Sequence, residues 1–360
     1  MAQDEVPLTP VSSASNQSPP PQQIIIQQPP SAFGRFGKWL LAALVLAVFI
    51  MIGMYSNYQS YYTPQDMPVE KYHSLDKYAT KKIAVIEISG PIYDEDEGFV
   101  KKQIDRVRQD ADVVAVVARI DSPGGTITGS DYVYHHLREL VEQRELPLVV
   151  SMGSLCASGG YYVAMAVGGQ PDAVFAEPTT WTGSIGVIIP HFDVTATLSK
   201  LGMADDSIAS GPYKQMGSPT RPMTEEERQL LQELVNEGFG RFKEIILSGR
   251  PKFKDDPAAL DAVATGQIFT ASQALEHGLV DKIGFVEAAI ARATELAQLE
   301  PTEVRCVKYE EAPTLFGELM GAESVVPASG RIDLSALIDL MTPRAYYLWT
   351  SLPALMRNSR

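Results

Sequence analysis

Cysteine is nearly absent: the 360 residues hold two, Cys156 and Cys306, far apart and without metal-knuckle spacing. That excludes a disulfide framework and a cysteine zinc site, so stability has to come from packing. Histidine is also sparse. His73, His135, His136, His191 and His277 are scattered, and the adjacent His135 and His136 are expected on different sides of a helix. No metal and no cofactor is expected from them. Excess positive charge is lacking as well, since 30 Lys and Arg against 44 Asp and Glu leave a net charge of -14. No Lys/Arg block interleaved with aromatics could track a phosphate backbone, which argues against a nucleic-acid partner. There is no internal repeat of fixed period, so a solenoid is excluded.

One stretch lacks charge altogether. Residues 39–55 (WLLAALVLAVFIMIGMY) would, as a helix rising about 1.5 Å per residue, nearly cross the hydrocarbon core of a bilayer. Arg35 and Lys38 precede it, while the following SNYQSYYT carries no cation and offers Tyr58, Tyr61 and Tyr62 as interfacial anchors. The charge bias predicts a cytoplasmic N-terminus and an extracytoplasmic remainder in a single-pass cell-membrane protein. A cleaved signal peptide fits less well, because a long tail precedes the run and no A-x-A site follows it. Residues 1–38 read as a disordered tail, rich in Pro, Gln and Ser over the first 32 or so, too poor in apolar side chains to offset chain entropy.

After a linker over residues 56–80, the texture becomes that of an α/β domain over residues 81–310. Residues 83–88 (IAVIEI), 113–120 (VVAVVARI) and 148–152 (LVVSM) read as buried strands, with further strands at 174–176 and 185–189. Ser130 is a candidate cap for a helix with Val133, Leu137, Leu140 and Val141 on one face. Thr224 and Glu227 form a capping box ahead of a long helix that carries Leu230, Leu231, Leu234, Val235, Phe242 and Ile246 at helical spacing. A last helix is expected over 285–299. Residues 311–360 form a C-terminal extension; its apolar part, 334–356, is broken by Asp339, Pro343, Arg344 and Pro353, so it reads as a membrane-surface or subunit-packing segment, or a helix on its own domain.

Two glycine turns each follow a predicted strand: DSPGG at 121–125 and ASGG at 157–160. In a parallel sheet both emerge at the strand ends where binding sites collect. Glycine lets a backbone amide approach a ligand closely, and amides at a helix start suit an oxyanion. Ser158 is therefore a candidate nucleophile. Cys156, Ser154 and a triad through His191 and Asp193 stay open beside it at this level.

Several motifs in order resemble the signal peptide peptidase A family of Ser-Lys proteases, in its short single-domain form. They are DSPGG, SMGSLCASGGYYVA, TGSIGV (182–187), SGPYKQMGSPTRPMTEEE (210–227) and ATGQIFTASQALEHGLVDKIG, and they span most of residues 81–284. The resemblance implies a ClpP/crotonase-like α/β fold, a repeated ββα core with flanking helices. It implies Ser158 as nucleophile, Lys214 as general base, Ser184 as the hydroxyl that orients the lysine, and an oxyanion hole from Gly125 with Gly124 beside it. Gly159, next to the nucleophile, is inferred as the second donor. Gln267 stands where the family often has arginine, which touches local salt bridging and not catalysis. Short members of the family assemble into a dome-like ring in which the serine and lysine of one site can come from neighbouring chains. The expected substrates are remnant signal peptides and other unfolded, apolar peptides. Two other function classes remain: a crotonase-fold acyl-CoA enzyme, which would need neither the Ser-Lys pair nor an anchor, and a non-catalytic membrane scaffold of the same fold.

Overall fold

Runs of β-branched residues with no polar face make strands that must be covered on both sides. The computed structural model describes residues 34–62, 67–93, 98–311 and 346–348 and divides into two compact units, Met1–Pro64 and Gln65–Arg360. Among the described residues of the first unit, helix α1 (Arg35–Tyr62) carries the apolar stretch Phe36–Tyr55, of mean hydropathy 2.2 and long enough to cross a membrane.

The second unit is mixed α/β. It opens with β1 (Val69–Leu75), β2 (Lys81–Ser89), α2 (Phe99–Gln109), β3 (Val113–Ser122), β4 (Gly124–Thr126) and α3 (Ile127–Arg144). There follow β5 (Leu148–Ala157), α4 (Gly159–Ala164) with a 3-10 turn after it, β6 (Val174–Ala176), β7 (Trp181–Gly183) and α5 (Thr195–Lys200). The chain continues through α6 (Glu225–Gly249), α7 (Lys252–Asp255), α8 (Pro257–Val263), β8 (Ile268–Thr270), α9 (Ala271–His277), β9 (Lys282–Ile283), α10 (Val286–Leu296) and β10 (Val304–Glu310). The remaining described element is β11 (Tyr346–Leu348).

The main sheet runs β1-β10-β2-β3-β5-β6-β9, with β7 joined to β5 and β8 joined to β7. Its centre is parallel: Val85 stands opposite Val117, and Val117 opposite Val149. Ile83, Ile86, Val116, Val117, Val149 and Val150 are wholly buried, with α4 and α10 packed on β3 and β5. Leu137 and Leu140 of α3 are also fully buried; truncating either to alanine is expected to cost about 2–5 kcal/mol.

Four sequence readings change. The strand expected at 185–189 lies instead at Trp181–Gly183. β5 runs on past Met152 to Ala157 and pairs Leu155 with Trp181 and Ala157 with Gly183, after which positive φ at Gly183 (90°) and Ser184 (50°) ends the strand. Thr126, not Ser130, caps α3, because its hydroxyl accepts the Gly129 amide; Ser130 lies a turn inside. The segment read as a linker over 56–80 includes β1, an edge strand held antiparallel to β10. The last predicted helix is shorter, Val286–Leu296.

The capping box of Thr224 and Glu227 is present. Helix α6 nonetheless buries its apolar face only over its last third, at Phe242, Ile245 and Ile246, and leaves Leu230 and Leu234 exposed. Its C-terminal end is pinned by Arg250, whose Nη2 pairs with Asp281 at 2.7 Å and donates to Gly278 O at 2.8 Å. Asp281 in turn accepts the amides of Ala173 and Val174. Burial pushes the Asp281 carboxyl up, but the Arg250 hydrogen bond and charge, with those amides, outweigh it and hold the group below the ordinary carboxylate range.

Candidate active site

Parallel pairing puts Ser122 opposite Cys156, so the two glycine turns leave adjacent strands at the same end. β5 is braced up to that end by side chains. Asp121 Oδ1 accepts the Leu155 amide at 3.0 Å, and Thr180 and Thr182 each donate at 2.6 Å, to Gly153 O and Cys156 O. The chain then turns sharply at Ser158, at φ 53° and ψ -114°, a region that costs a non-glycine residue about 1–3 kcal/mol and persists only where the surroundings impose it. Here they do. The Ser158 amide donates to Gly183 O at 2.8 Å, and its carbonyl accepts the Tyr162 amide at 2.9 Å to start α4.

The result is a serine 1% exposed whose Oγ is buried without a hydrogen-bond partner among the described residues. An unpartnered buried hydroxyl is costly and calls for a reason. Around it stand the glycines the sequence pointed to. A Cβ placed on Gly159 would overlap Ser130 Oγ and lie 3.0 Å from Gly125 N, so the Gly125 and Gly159 backbones are in contact distance beside Ser158. A Cβ on Gly125 would overlap Ile92 O, which explains why glycine is required there. Gly124, at φ 96°, makes the preceding turn and donates to Ser122 Oγ at 3.1 Å. The first amides of α4 have no acceptor within the helix. Two backbone donors beside a free hydroxyl form an arrangement able to stabilise the oxyanion of acyl transfer.

Ser184 directly follows Gly183, the residue bonded to Ser158, and is itself buried at φ 50°. Its amide donates to Gln267 O at 2.7 Å; the backbone of Gln267 thus supports Ser184 whatever its side chain does. Lys214 is not brought in. It is exposed, in turns between α5 and α6, and lines an open depression of about 680 Å³ with Leu198, Met203, Asp205 and Met216. Ser158 is not part of that depression.

The competing readings lose ground. Burial, with the Asp121 charge added, pushes the Cys156 thiol far up, which disfavours a thiolate there. Ser154 is exposed within β5. His191 Nε2 contacts Ser218 O at 3.3 Å and Asp193 accepts the Thr195 amide, so neither is bonded to Ser158. His135 and His136 were expected to point apart. Yet they and Glu139 bring ligand atoms within 4.8 Å of one another. Both rings bend toward the same turn, where Glu139 Oε2 already pairs with Arg108 at 2.8 Å, and that cation opposes a metal ion.

Sequence reading missed the scaffold of this site. Tyr162, wholly buried, donates to Asp131 at 2.5 Å, and Arg241 of α6 reaches the same carboxylate at 3.4 Å. Three helices are thereby tied behind the Ser158 turn. No periodicity marks such a link, because its members lie on three separate elements. Also missed was β11. It pairs antiparallel with β4, placing Tyr346, Tyr347 and Leu348 opposite Thr126, Gly125 and Gly124. The rest of the 334–356 segment lies outside the described residues, as does the N-terminal tail up to residue 33.

Comparison with known proteins bears on the same residues. Residues 141–300, which include Ser158, Ser184 and Lys214, match the profile of Peptidase family S49. A putative protease of Synechocystis sp. is 38% identical over 244 residues, covering 68% of this chain and 84% of that protein. A putative signal peptide peptidase SppA of Enterococcus faecium is 32% identical over 249 residues, 66% of this chain and 70% of the relative. Protease 4 of Salmonella typhi is 32% identical over 270 residues, 72% of this chain but 41% of the longer relative.

Proposed function

Because the chain belongs to the signal peptide peptidase A family, peptidase family S49, and is thus a serine-type protease, we propose that it is a membrane-anchored endopeptidase with a Ser-Lys dyad. Ser158 is the nucleophile, Lys214 the general base and Ser184 the hydroxyl that orients it. The fold is read as ClpP/crotonase-like. The observation that carries the reading is the unpartnered Ser158 Oγ, held at positive φ beside the Gly125 and Gly159 amides.

In this mechanism Ser158 Oγ attacks the scissile carbonyl while a neutral Lys214 amine takes its proton. The oxyanion is held by Gly125 and Gly159 N–H, with Gly124 shaping the turn. Collapse breaks the C–N bond, the lysine ammonium returns the proton to the leaving amine, and the acyl-Ser158 ester is hydrolysed by a water that the same lysine activates.

An amine serves as a base near neutral pH only where it is desolvated. Lys214 is exposed in a single chain, and the segment around it carries uncovered apolar side chains: Phe192 at 67%, Leu201 at 69%, Met203 at 57% and Ile208 fully exposed. These features support a ring of copies in which Lys214 of one chain is buried against Ser158 of the next. Apolar side chains exposed together on one segment are what an oligomer contact would cover.

Helix α1 is read as the anchor, with the peptidase unit extracytoplasmic and the N-terminus cytoplasmic, following the Arg35 and Lys38 bias. Substrates are remnant signal peptides and other extended apolar peptides left at the membrane. The test is intact mass after a serine-directed fluorophosphonate on the wild type, Ser158→Ala and Lys214→Ala. One adduct on the wild type alone is expected; an adduct that persists in Ser158→Ala overturns the nucleophile. Protease protection on vesicles checks topology, and a peptidase unit shielded with the cytoplasmic contents reverses the orientation.

A further inference from the structure

Gly159 opens α4 without a positive φ, so its own backbone does not call for glycine. Its surroundings do. The place a Cβ would take lies 2.3 Å from Ser130 Oγ, 3.0 Å from Gly125 N and 3.1 Å from Gly124 Cα. The hydroxyl of Ser130 therefore takes up the space that a side chain at 159 would need, beside the two glycines whose amides would hold the oxyanion.

Ser130 does not cap α3, a role that Thr126 fills, and it is wholly buried. Alanine is the better helix former and buries no polar atom, so a serine enclosed within this helix asks for a reason. Its Oγ donates to Thr126 O at 2.9 Å, the back-bond of a serine to the carbonyl four residues earlier. That bond uses its proton on the residue next to Gly125 and leaves its lone pairs for the Gly159 Cα–H, a weak contact that still fixes a distance. Ile92 steadies the same stretch from another side: its amide donates to Gly124 O, and Thr126 N donates to its carbonyl, each at 2.9 Å. Gly124, Gly125 and Thr126 thus form a fixed frame, and the Ser130 hydroxyl extends that frame to Gly159.

We propose that Ser130 is a positioning residue of the oxyanion hole: its hydroxyl, pinned to Thr126 O, is a spacer that sets how far the Gly159 amide stands from the Gly125 amide. It is not hydrogen-bonded to Ser158 Oγ and acts through the two glycines. Donors converging on one oxygen stabilise it only when their separation is held closely. The proposal rests on the reading of Ser158 as nucleophile with these amides as its donors.

The experiment uses the full-length protein in detergent micelles, as wild type, Ser130→Ala, Ser130→Cys, Gly159→Ala, the double variant Ser130→Ala/Gly159→Ala, and Ser158→Ala. The readouts are kcat and KM on an apolar reporter peptide and the inhibition constant of an apolar peptide aldehyde, whose serine adduct places its oxygen among the same donors; urea unfolding checks the fold. Loss of a donor lowers kcat by about 10²–10³-fold, and displacing one without removing it should cost roughly tenfold. Ser130→Ala should show that loss in kcat with KM unchanged, and the aldehyde should weaken by the same factor. Ser130→Cys should also lose kcat, since its larger sulfur crowds Gly159, whereas a serine that only filled the core would accept cysteine; this variant decides alone if the alanine variant does not fold. In the double variant the methyl at 159 enters the space the hydroxyl left, so it should be roughly tenfold more active than Gly159→Ala, where two unrelated defects would multiply. Wild-type kcat in Ser130→Ala or Ser130→Cys, a loss confined to KM, or multiplied losses in the double variant overturn the spacer and leave the site assignment intact. Fluorophosphonate labelling that survives in Ser158→Ala overturns the site assignment itself, and the spacer with it.

Discussion

The Ser158 turn and the Lys214 segment are opposites in construction. Ser158 sits at 1% exposure, gripped by Gly183 O, Tyr162 N and the neighbouring glycine backbones. Lys214 lies on an exposed connection between α5 and α6, among apolar side chains that nothing in the described residues covers. A nucleophile needs a fixed geometry, which one folded unit supplies. A lysine base needs a dry environment, and this one has to obtain it from a further surface. The contrast means that the two halves of the proposed dyad should respond differently to mutation, dilution and mixing.

The largest effect expected is from Ser158→Ala or Lys214→Ala, each lowering kcat/KM by about 10⁴-fold or more. Co-expressing the two inactive chains sharpens the comparison: if serine and lysine meet across a subunit boundary, random assembly restores about a quarter of the wild-type sites. Peptidase assay of the purified mixture decides it, and no recovery places the pair within one chain.

Gly159→Ala strikes the rigid half alone. Its methyl would overlap Ser130 Oγ and crowd Gly125 N, so kcat should drop by about 10²–10³, measured by steady-state kinetics, with little change in oligomeric state by sedimentation.

Asp281→Ala tests how far that rigidity depends on the anchor of α6. It leaves Arg250, only 7% exposed at its side chain, without its carboxylate, and should cost about 3–5 kcal/mol in urea unfolding at pH 7. The sign with pH follows from the depressed carboxyl. The stabilisation is present above the unfolded value of about 3.9 and is lost as pH falls through the lower folded value, so wild type and variant should converge in strong acid.

The smallest effect on folding is expected in the exposed half. Phe192→Asp, at a side chain 67% exposed, should change the unfolding free energy by about 0.5 kcal/mol or less. Yet its specific activity should fall on dilution well before that of wild type. Equal dilution profiles would break the link between this surface and the lysine.

Much of the core was legible because β2, β3, β5 and β6 are continuous apolar runs, and that pattern survives any context. β1 and β10 were not, since VEKYHSL and VRCVKYE carry charges through edge or near-edge strands whose pairing spans more than 200 residues. β7 was displaced by a few positions because its location depends on where β5 bends, not on its own hydropathy. In the site, the glycine turns singled out Ser158 only as one candidate among Cys156, Ser154 and the His191–Asp193 pair; motif resemblance selected it, and burial then removed Cys156. The Tyr162–Asp131–Arg241 link left no local trace.

By itself the sequence determined the α/β class, the apolar helix near the N-terminus and the glycine turns, because composition, periodicity and the conformational demands of glycine act over a few residues. Only the tertiary structure decided that Ser158 Oγ has no hydrogen-bond partner among the described residues, that Lys214 is exposed and not bonded to it, and that Tyr347 lies opposite Gly125. Each of these is a relation between segments far apart in the chain, set by strand register and packing that no local pattern encodes.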